Sequence, residues 1–338
     1  MTDFSLLDLV PVREGGTVAE ALAAATDLAV TAEQAGCKRF WVAEHHAMEG
    51  IAGGATSVVL AHIASATSTI RIGSGGIMLP NHTPFQIAEQ FGTLAALYPG
   101  RVDLGLGRAP GAGPELQRAL RKDLHRAAEM FPQDVVELRA YLSAEDETAI
   151  RATPGHSSDV EMWMLGSSLF GAQLAARLGL PYAFASHFAP DHLDGALEIY
   201  RRTFEPSEEL AKPHVMVAMN LFCADTTEEA ETLASSQLQS FVRLRTGKPG
   251  KLPPTIPNYR ASLDPRARAI VDHVGQASAI GTPEEVARQV QAFIARTGAE
   301  EVVFGGATFD PQARTRSLAL AMEALTARST PDTLAAHA

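Results

Sequence analysis

Eight short apolar runs, each followed by a longer stretch with apolar residues at helical spacing, constrain this chain more than any other feature. The runs are Phe4 to Val10, Arg39 to Ala43, Ile70 to Leu79, Arg101 to Leu106, Glu161 to Leu165, Tyr182 to Ser186, Val215 to Phe222 and Glu301 to Phe304. Strands that alternate with helices form a parallel sheet whose faces the helices cover. An open doubly wound sheet usually stops near about six strands, so this pattern predicts a closed (β/α)8 TIM barrel. A chain of 338 residues suits one such barrel, and residues 1–338 are read as a single domain.

The helical stretches carry their own start and stop signals. Thr17 with Glu20, Thr226 with Glu229 and Thr282 with Glu285 set a hydroxyl three residues before a carboxylate, and Thr83 with Gln86 repeats the arrangement. Gly36 and Gly298 stand where a left-handed helix end is expected. Two connections are long: residues 111–160 after the fourth strand and Gly247 to Leu263 after the seventh. The second, GKPGKLPPTIPNYRASL, reads either as a mobile lid or as a plain surface loop. Residues 329–338, STPDTLAAHA, read as a frayed tail.

Composition narrows the partners. A hydrophobic share of 46% against 20% charged residues is that of a folded chain with a sizeable core. A net charge of −11 argues against a phosphate-backbone partner, which needs clustered Lys and Arg. Two cysteines, Cys37 and Cys223, both in apolar surroundings, supply neither a disulfide framework nor a metal knuckle. The start, MTDFSLLDLVPVREGG, lacks a basic region, and no run reaches about 18 uncharged apolar residues, so a cytoplasmic protein without a membrane span is expected.

In a barrel of this kind the reacting groups project from the C-terminal strand ends. Those ends carry Glu44-His45-His46, Gly75-Gly76, Gly107-Arg108, Gly166-Ser167-Ser168, His187 and Gly305-Gly306. Gly75-Gly76 reads either as a bulge or as a place where a planar ligand approaches the backbone. Arg108 reads as an anion-binding cation or as half of a surface ion pair. Gly166-Ser167-Ser168, ahead of a helical run, is a bare N-cap or, together with Arg108, a phosphate grip. The run Gly105-Leu-Gly-Arg-Ala-Pro-Gly111 fails as a dinucleotide fingerprint because its third glycine is displaced and Pro110 intrudes. Adjacent strand residues point to opposite faces, so at most two of Glu44, His45 and His46 share a metal, and no metal site is expected. A histidine placed for proton transfer is the stronger reading.

Longer motifs then add up to a resemblance. WVAEHH, IGSGGIMLPNHTPFQIAEQFGTLAALYPGRVDLGLGRAPG, MLGSSLFGAQLAARLGLPYAFASHF and IGTPEEVARQV occur in this order over nearly the whole chain. It resembles the bacterial luciferase-like monooxygenases, in their single-chain, non-luminescent, flavin-dependent branch. The resemblance implies a (β/α)8 barrel, usually a homodimer, that takes reduced FMN from a separate flavin reductase. With O2 the flavin forms a C4a-hydroperoxide that oxygenates a small organic substrate. By the same resemblance Gly75 and Gly76 form the bulge beneath the isoalloxazine ring, Arg108, Gly166, Ser167 and Ser168 hold the flavin phosphate, and His45 is the histidine beside flavin and substrate. The light-emitting α chain has a cysteine before the phosphate arginine and a Glu-Ser pair at the grip, where this chain has Gly107 and Ser167-Ser168. Light emission is therefore not expected. GLGRAPG also lacks the Gly- and Glu-rich signature usual for deazaflavin F420, which makes FMN the preferred cofactor. An F420-dependent oxidoreductase, a catalytically silent flavin-binding protein and a metal-dependent barrel hydrolase are the rival readings.

Overall fold

The computed structural model describes residues 2–109, 114–145 and 149–327. The expected tail at 329–338 and the Pro110-Gly111 end of the glycine run lie outside them. Nine strands form one sheet: β1 (Asp3–Asp8), β2 (Arg39–Val42), β3 (Arg71–Met78), β4 (Val102–Gly107), β5 (Glu161–Gly166), β6 (Tyr182–Phe184), β7 (Val215–Cys223), β8 (Ser278–Gly281) and β9 (Glu301–Gly305). Strands β1 to β6 pair in sequence, β6 pairs with β7, β7 with β9 and β9 with β1, all in parallel. The sheet closes on itself as an eight-stranded barrel with helices around it, as the alternation predicts.

One strand departs from that expectation. The barrel strands match the eight predicted runs, whereas β8 is an addition outside the ring, paired with Asn220 to Cys223 of β7. At nine residues β7 outlasts the barrel wall, and its free C-terminal edge finds the four residues SAIG as a partner. The expected helix signals are in place. Thr17 with Glu20 and Thr282 with Glu285 close full capping boxes, each hydroxyl accepting a backbone N–H and each carboxylate returning the bond, worth about 1 kcal/mol per cap. Gly298 takes the left-handed conformation at φ 58° where the helix Pro283–Thr297 ends.

Inward-facing side chains fill the barrel in layers. At the N-terminal end Arg39 lies buried between Asp103, 2.9 Å away, and Glu301, 3.1 Å away. Ser5 donates to Glu301, and Arg71 donates to Asp103 at 2.8 Å. Above them Trp41 and Trp163 meet edge to face at 5.3 Å within a cluster of Leu7, Ala43, Ala183, Met216, Ala218 and Val303. Each indole N–H finds a carboxylate below, Trp41 on Asp103 at 2.9 Å and Trp163 on Glu161 at 2.8 Å. The Trp41 ring crowds Gly73 on β3, and the neighbouring strand and Leu165 crowd Gly105 on β4, so neither position has room for a side chain. A Cβ on Gly73 would stand 2.8 Å from the Trp41 nitrogen, and one on Gly105 2.2 Å from the Ser74 carbonyl. The barrel interior is therefore filled below its C-terminal mouth.

The connection 247–263 is tied down rather than loose. Leu252 is buried, its N–H donates to the Val12 carbonyl at 2.9 Å, and its own carbonyl accepts from Glu14 at 2.8 Å. Ser235 accepts the Ile256 N–H at 2.8 Å, and Gln239 donates to the Pro254 carbonyl at 2.7 Å. The segment thus packs beside the loops that follow β1 and β2.

Candidate active site

The segment after β2 gives three neighbouring side chains three environments. Trp41 and Ala43 face the barrel interior, and His45 follows them at the same two-residue spacing, half-buried above the plug. Burial lowers the pKa of His45 below its ordinary 6.5, against the opposing pull of Glu44 and with help from His46. At neutral pH its ring is therefore uncharged and able to accept a proton.

Glu44 is 2% exposed and fully engaged. Its Oε1 accepts from Nε2 of His46 and from Nε2 of His82 at 2.7 Å, while Oε2 accepts the Met78 N–H at 2.9 Å. Burial alone would raise the Glu44 pKa. The His82 bond and charge, the Met78 N–H and the His46 bond outweigh it and hold the carboxyl below its usual range. A carboxylate oxygen only accepts, so both histidines carry their proton on Nε2. Lys122 completes the knot by donating to the His82 carbonyl. Glu44 thus ties the end of β2 to the turn after β3 and fixes the backbone that carries His45.

Sequence spacing did not reveal His82 in this cluster, because it arrives from another strand end. The donor atoms of Glu44, His46 and His82 all lie within 4.8 Å of one another, so strand alternation did not prevent three metal-type donors from meeting. One carboxylate oxygen sits at hydrogen-bonding distance from both rings, which is the geometry of a bonded triad.

On β3 the register against β4 shifts between Ser74 and Ile77, so the predicted bulge is present, and the Gly75–Gly76 peptide is cis. A Cβ on Gly75 would lie 2.5 Å from Leu7 Cδ1, and one on Gly76 2.6 Å from the Gly105 carbonyl oxygen. Close backbone approach to β4 demands glycine at 76, whereas at 75 it is the packed Leu7 and Trp41 side chains that occupy the space. Beyond β4, Arg108 is exposed, and its guanidinium lies 4.1 Å from the centre of the Phe170 ring. Among the described residues no carboxylate comes within ion-pair range of it. Phe170 is the second residue of the helix Leu169–Leu178, so the stack brings Arg108 to that helix's N-terminus. Ser168 is the N-cap there, extended, and its hydroxyl makes no capping bond. The free N–H groups and the stacked cation together form an anion-receptive corner. Gly166 and Ser167 line the approach from β5.

Two further polar residues reach the mouth. His187 follows β6, as the strand ends predicted, and burial lowers its pKa to about 4. Asn220 on β7 went unnoticed in the sequence. The available signal was a single amide in VMVAMNLFC, at the inward spacing of Met216 and Ala218.

Comparison with known proteins places this mouth in context. The family model for luciferase-like monooxygenases matches residues 2–301. The chain belongs to the luciferase-like monooxygenase family. A luciferase-like monooxygenase of Escherichia coli K12 is 48% identical over 96% of this chain and 98% of its own. The N-acetyl-S-alkylcysteine monooxygenase of Bacillus subtilis is 36% identical over 73% of this chain and 75% of its own. Among solved structures, apo-MsnO8 superposes with a TM-score of 0.86 at 33% identity, over 96% of this chain and 99% of that one. The fold, though no more than the fold, is shared with the FMN-bound oxygenating constituent of 3,6-diketocamphane monooxygenase from Pseudomonas putida, at 18% identity and TM-score 0.68 over 97% and 98% of the chains. The same holds for the F420-dependent tetrahydromethanopterin reductase of Methanopyrus kandleri, at 14% and 0.66 over 97% and 99%. Luciferase-like monooxygenases thus share this barrel with users of either flavin.

Proposed function

We propose that this chain is the oxygenating component of a flavin-dependent monooxygenase, a single-domain cytoplasmic homodimer that receives reduced FMN from a separate reductase. The observation that carries the reading is the convergence, on one barrel mouth, of an uncharged histidine, a glycine bulge and an arginine stacked at a helix N-terminus. The residues fit the cofactor. Arg108 and the N–H groups after Ser167 and Ser168 hold its phosphate, with Gly166 leaving room beside them. Gly75 and Gly76 present bare backbone to a planar ring.

When bound, reduced FMN supplies the electrons that activate O2 for transfer of one oxygen atom to the substrate. The protein's part is orientation, proton handling and dryness. His45 takes or returns a proton beside the reacting atoms, and Glu44 holds its backbone in place through His82, Met78 and His46. Leu7, Trp41 and Trp163 close the barrel floor against water. The name of the Bacillus relative makes small S-alkyl thioethers the first substrate class to screen.

The test is a binding and turnover experiment with purified protein and a generic reductase. FMNH2 is expected to bind at micromolar concentration and to support substrate-dependent O2 uptake. His45→Ala is expected to lower turnover by about 100-fold or more while leaving FMN binding nearly unchanged. Binding of reduced F420 with anaerobic activity and no affinity for FMNH2 would instead establish the hydride-transfer reading. FMN binding with no O2 uptake on any substrate would mark a silent flavin carrier.

A further inference from the structure

One stretch of this acidic chain carries no acid. Between Glu231 and Asp264 there is no Asp or Glu, yet Arg243, Arg245, Lys248, Lys251 and Arg260 all fall there, against a net charge of −11 for the whole chain. The fold brings the middle of this stretch to the barrel mouth. Along the helix Thr227–Arg245, Gln237 accepts the Ala307 N–H beyond β9 at 3.1 Å, Arg243 pairs with Glu14 beyond β1 at 2.6 Å, and Arg245 reaches Phe188 beyond β6. Arg243 is thereby neutralised, as is Arg260, 3.2 Å from Asp272. Lys251 donates to the Gly16 carbonyl at 3.3 Å. Glu49 comes close to Gly250, but among the described residues no carboxylate is within ion-pair range of Arg245, Lys248 or Lys251.

Arg245 differs from an ordinary surface cation in being held in place. Its Nη2 donates to the Phe188 carbonyl at 3.2 Å, and its guanidinium lies 5.0 Å from the centre of the Phe188 ring. Phe188 packs in turn on Phe241 at 6.2 Å, and Phe241 belongs to a buried cluster with Phe222, Leu238 and Val271. The cation is thus fixed on a rigid stack, while its other N–H groups have no partner among the described residues. A planar guanidinium oriented in advance takes a carboxylate through two parallel bonds and loses less freedom than a loose Lys would. Phe188 is 39% exposed, an apolar surface beside that cation, and it follows β6, the strand that stands opposite β2 in the ring. Resting on the monooxygenase reading, we propose that this chain acts on a carboxylate-bearing thioether: Arg245 takes the carboxylate, Phe188 packs against the aliphatic part, and the sulfur lies inward, toward His45. Lys248 and Lys251 add positive potential to the same rim, which draws an anionic substrate to a protein that is otherwise negative.

The experiment compares N-acetyl-S-ethylcysteine with its methyl ester, by FMNH2-dependent O2 uptake with a generic reductase, in the wild type, Arg245→Met and Arg245→Lys. The ester keeps the thioether and loses the charge, and Met keeps much of the side chain's bulk without the guanidinium. The expected result is a kcat/KM about tenfold higher for the acid than for the ester in the wild type, the worth of one charge-assisted contact, carried by KM rather than kcat. That preference is expected to fall to near parity in Arg245→Met and to survive in part in Arg245→Lys. As a ratio within each protein, it is unaffected by any loss of folded enzyme. Salt gives a second readout: KM for the acid should rise with ionic strength while that for the ester stays level. Equal use of acid and ester by the wild type, an undiminished preference in Arg245→Met, or uptake with neither compound would overturn the assignment. The flavin reading fails separately, if FMNH2 does not bind.

Discussion

At the end of β2, Glu44 uses both carboxylate oxygens for anchoring while His45, its neighbour, keeps its ring free of that network. The division follows from strand parity, which sends the two side chains to opposite faces of the barrel wall. A consequence is legible in pH. Burial holds the His45 pKa below 6.5, so the base form persists under mildly acid conditions and is lost only as pH falls through the lowered value. The kcat profile is expected to show an acid limb centred below pH 6.5 that disappears in the residual activity of His45→Ala. An acid limb centred above pH 6.5 would contradict the environment described. His45 was legible in the sequence because it stood at a strand end beside two other ionisable residues. His82 was not, because its link to Glu44 crosses from β2 to the turn after β3, and no spacing rule spans that distance. Asn220 stayed hidden in an apolar run, where one amide changes the hydropathy little.

At the scale of elements, hydrogen bonds from side chains to backbone decide how helices and strands meet. Glu33, near the end of the helix Val18–Gln34, accepts the N–H groups of Ser68 at 2.9 Å, Thr69 at 2.6 Å and Ile70 at 2.9 Å, and the Thr69 hydroxyl at 3.0 Å. Burial acts to raise its pKa, but these donors prevail and lower it from 4.5 to about 2. A carboxylate with a depressed folded pKa stabilises the fold above its unfolded pKa, and that contribution fades as pH falls. Glu33→Gln is therefore expected to destabilise the protein by about 1–2 kcal/mol at pH 7 in denaturant unfolding. The difference between variant and wild type should shrink as pH drops from 4.5 toward 2. A pH-independent difference would show that the loop is held by other means. The eight barrel strands were readable because each is an apolar run bounded by turn and cap residues. The ninth was not, since SAIG carries little pattern of its own and takes strand form only because β7 extends past the barrel wall. The Gly247 to Leu263 connection was ambiguous in sequence for a related reason: its anchors, Val12, Glu14, Ser235 and Gln239, lie in distant segments.

Across the whole molecule, polarity is sorted along the barrel axis. A buried ionic layer lies at the N-terminal end, two tryptophans fill the middle, and small residues with a few polar groups rim the C-terminal mouth. Chemistry placed at that mouth sits above a dry, rigid floor, which suits a reaction that water would abort. The sequence pattern carried this architecture because strand ends in a closed parallel barrel converge whatever the loops between them. The particular ligand depends on which atoms remain unpaired there, and that emerges only in three dimensions. In the proposed reading, Arg108 and the Ser167-Ser168 corner grip a flavin phosphate. It is tested most directly by an anaerobic titration of wild type and Arg108→Ala with reduced FMN and with reduced riboflavin, which lacks the phosphate. The expected result is that the wild type prefers FMN by about 10- to 100-fold, the worth of a charge-assisted phosphate contact, and that Arg108→Ala loses most of that preference. Equal affinity of the wild type for the two flavins, or binding of neither, would contradict it.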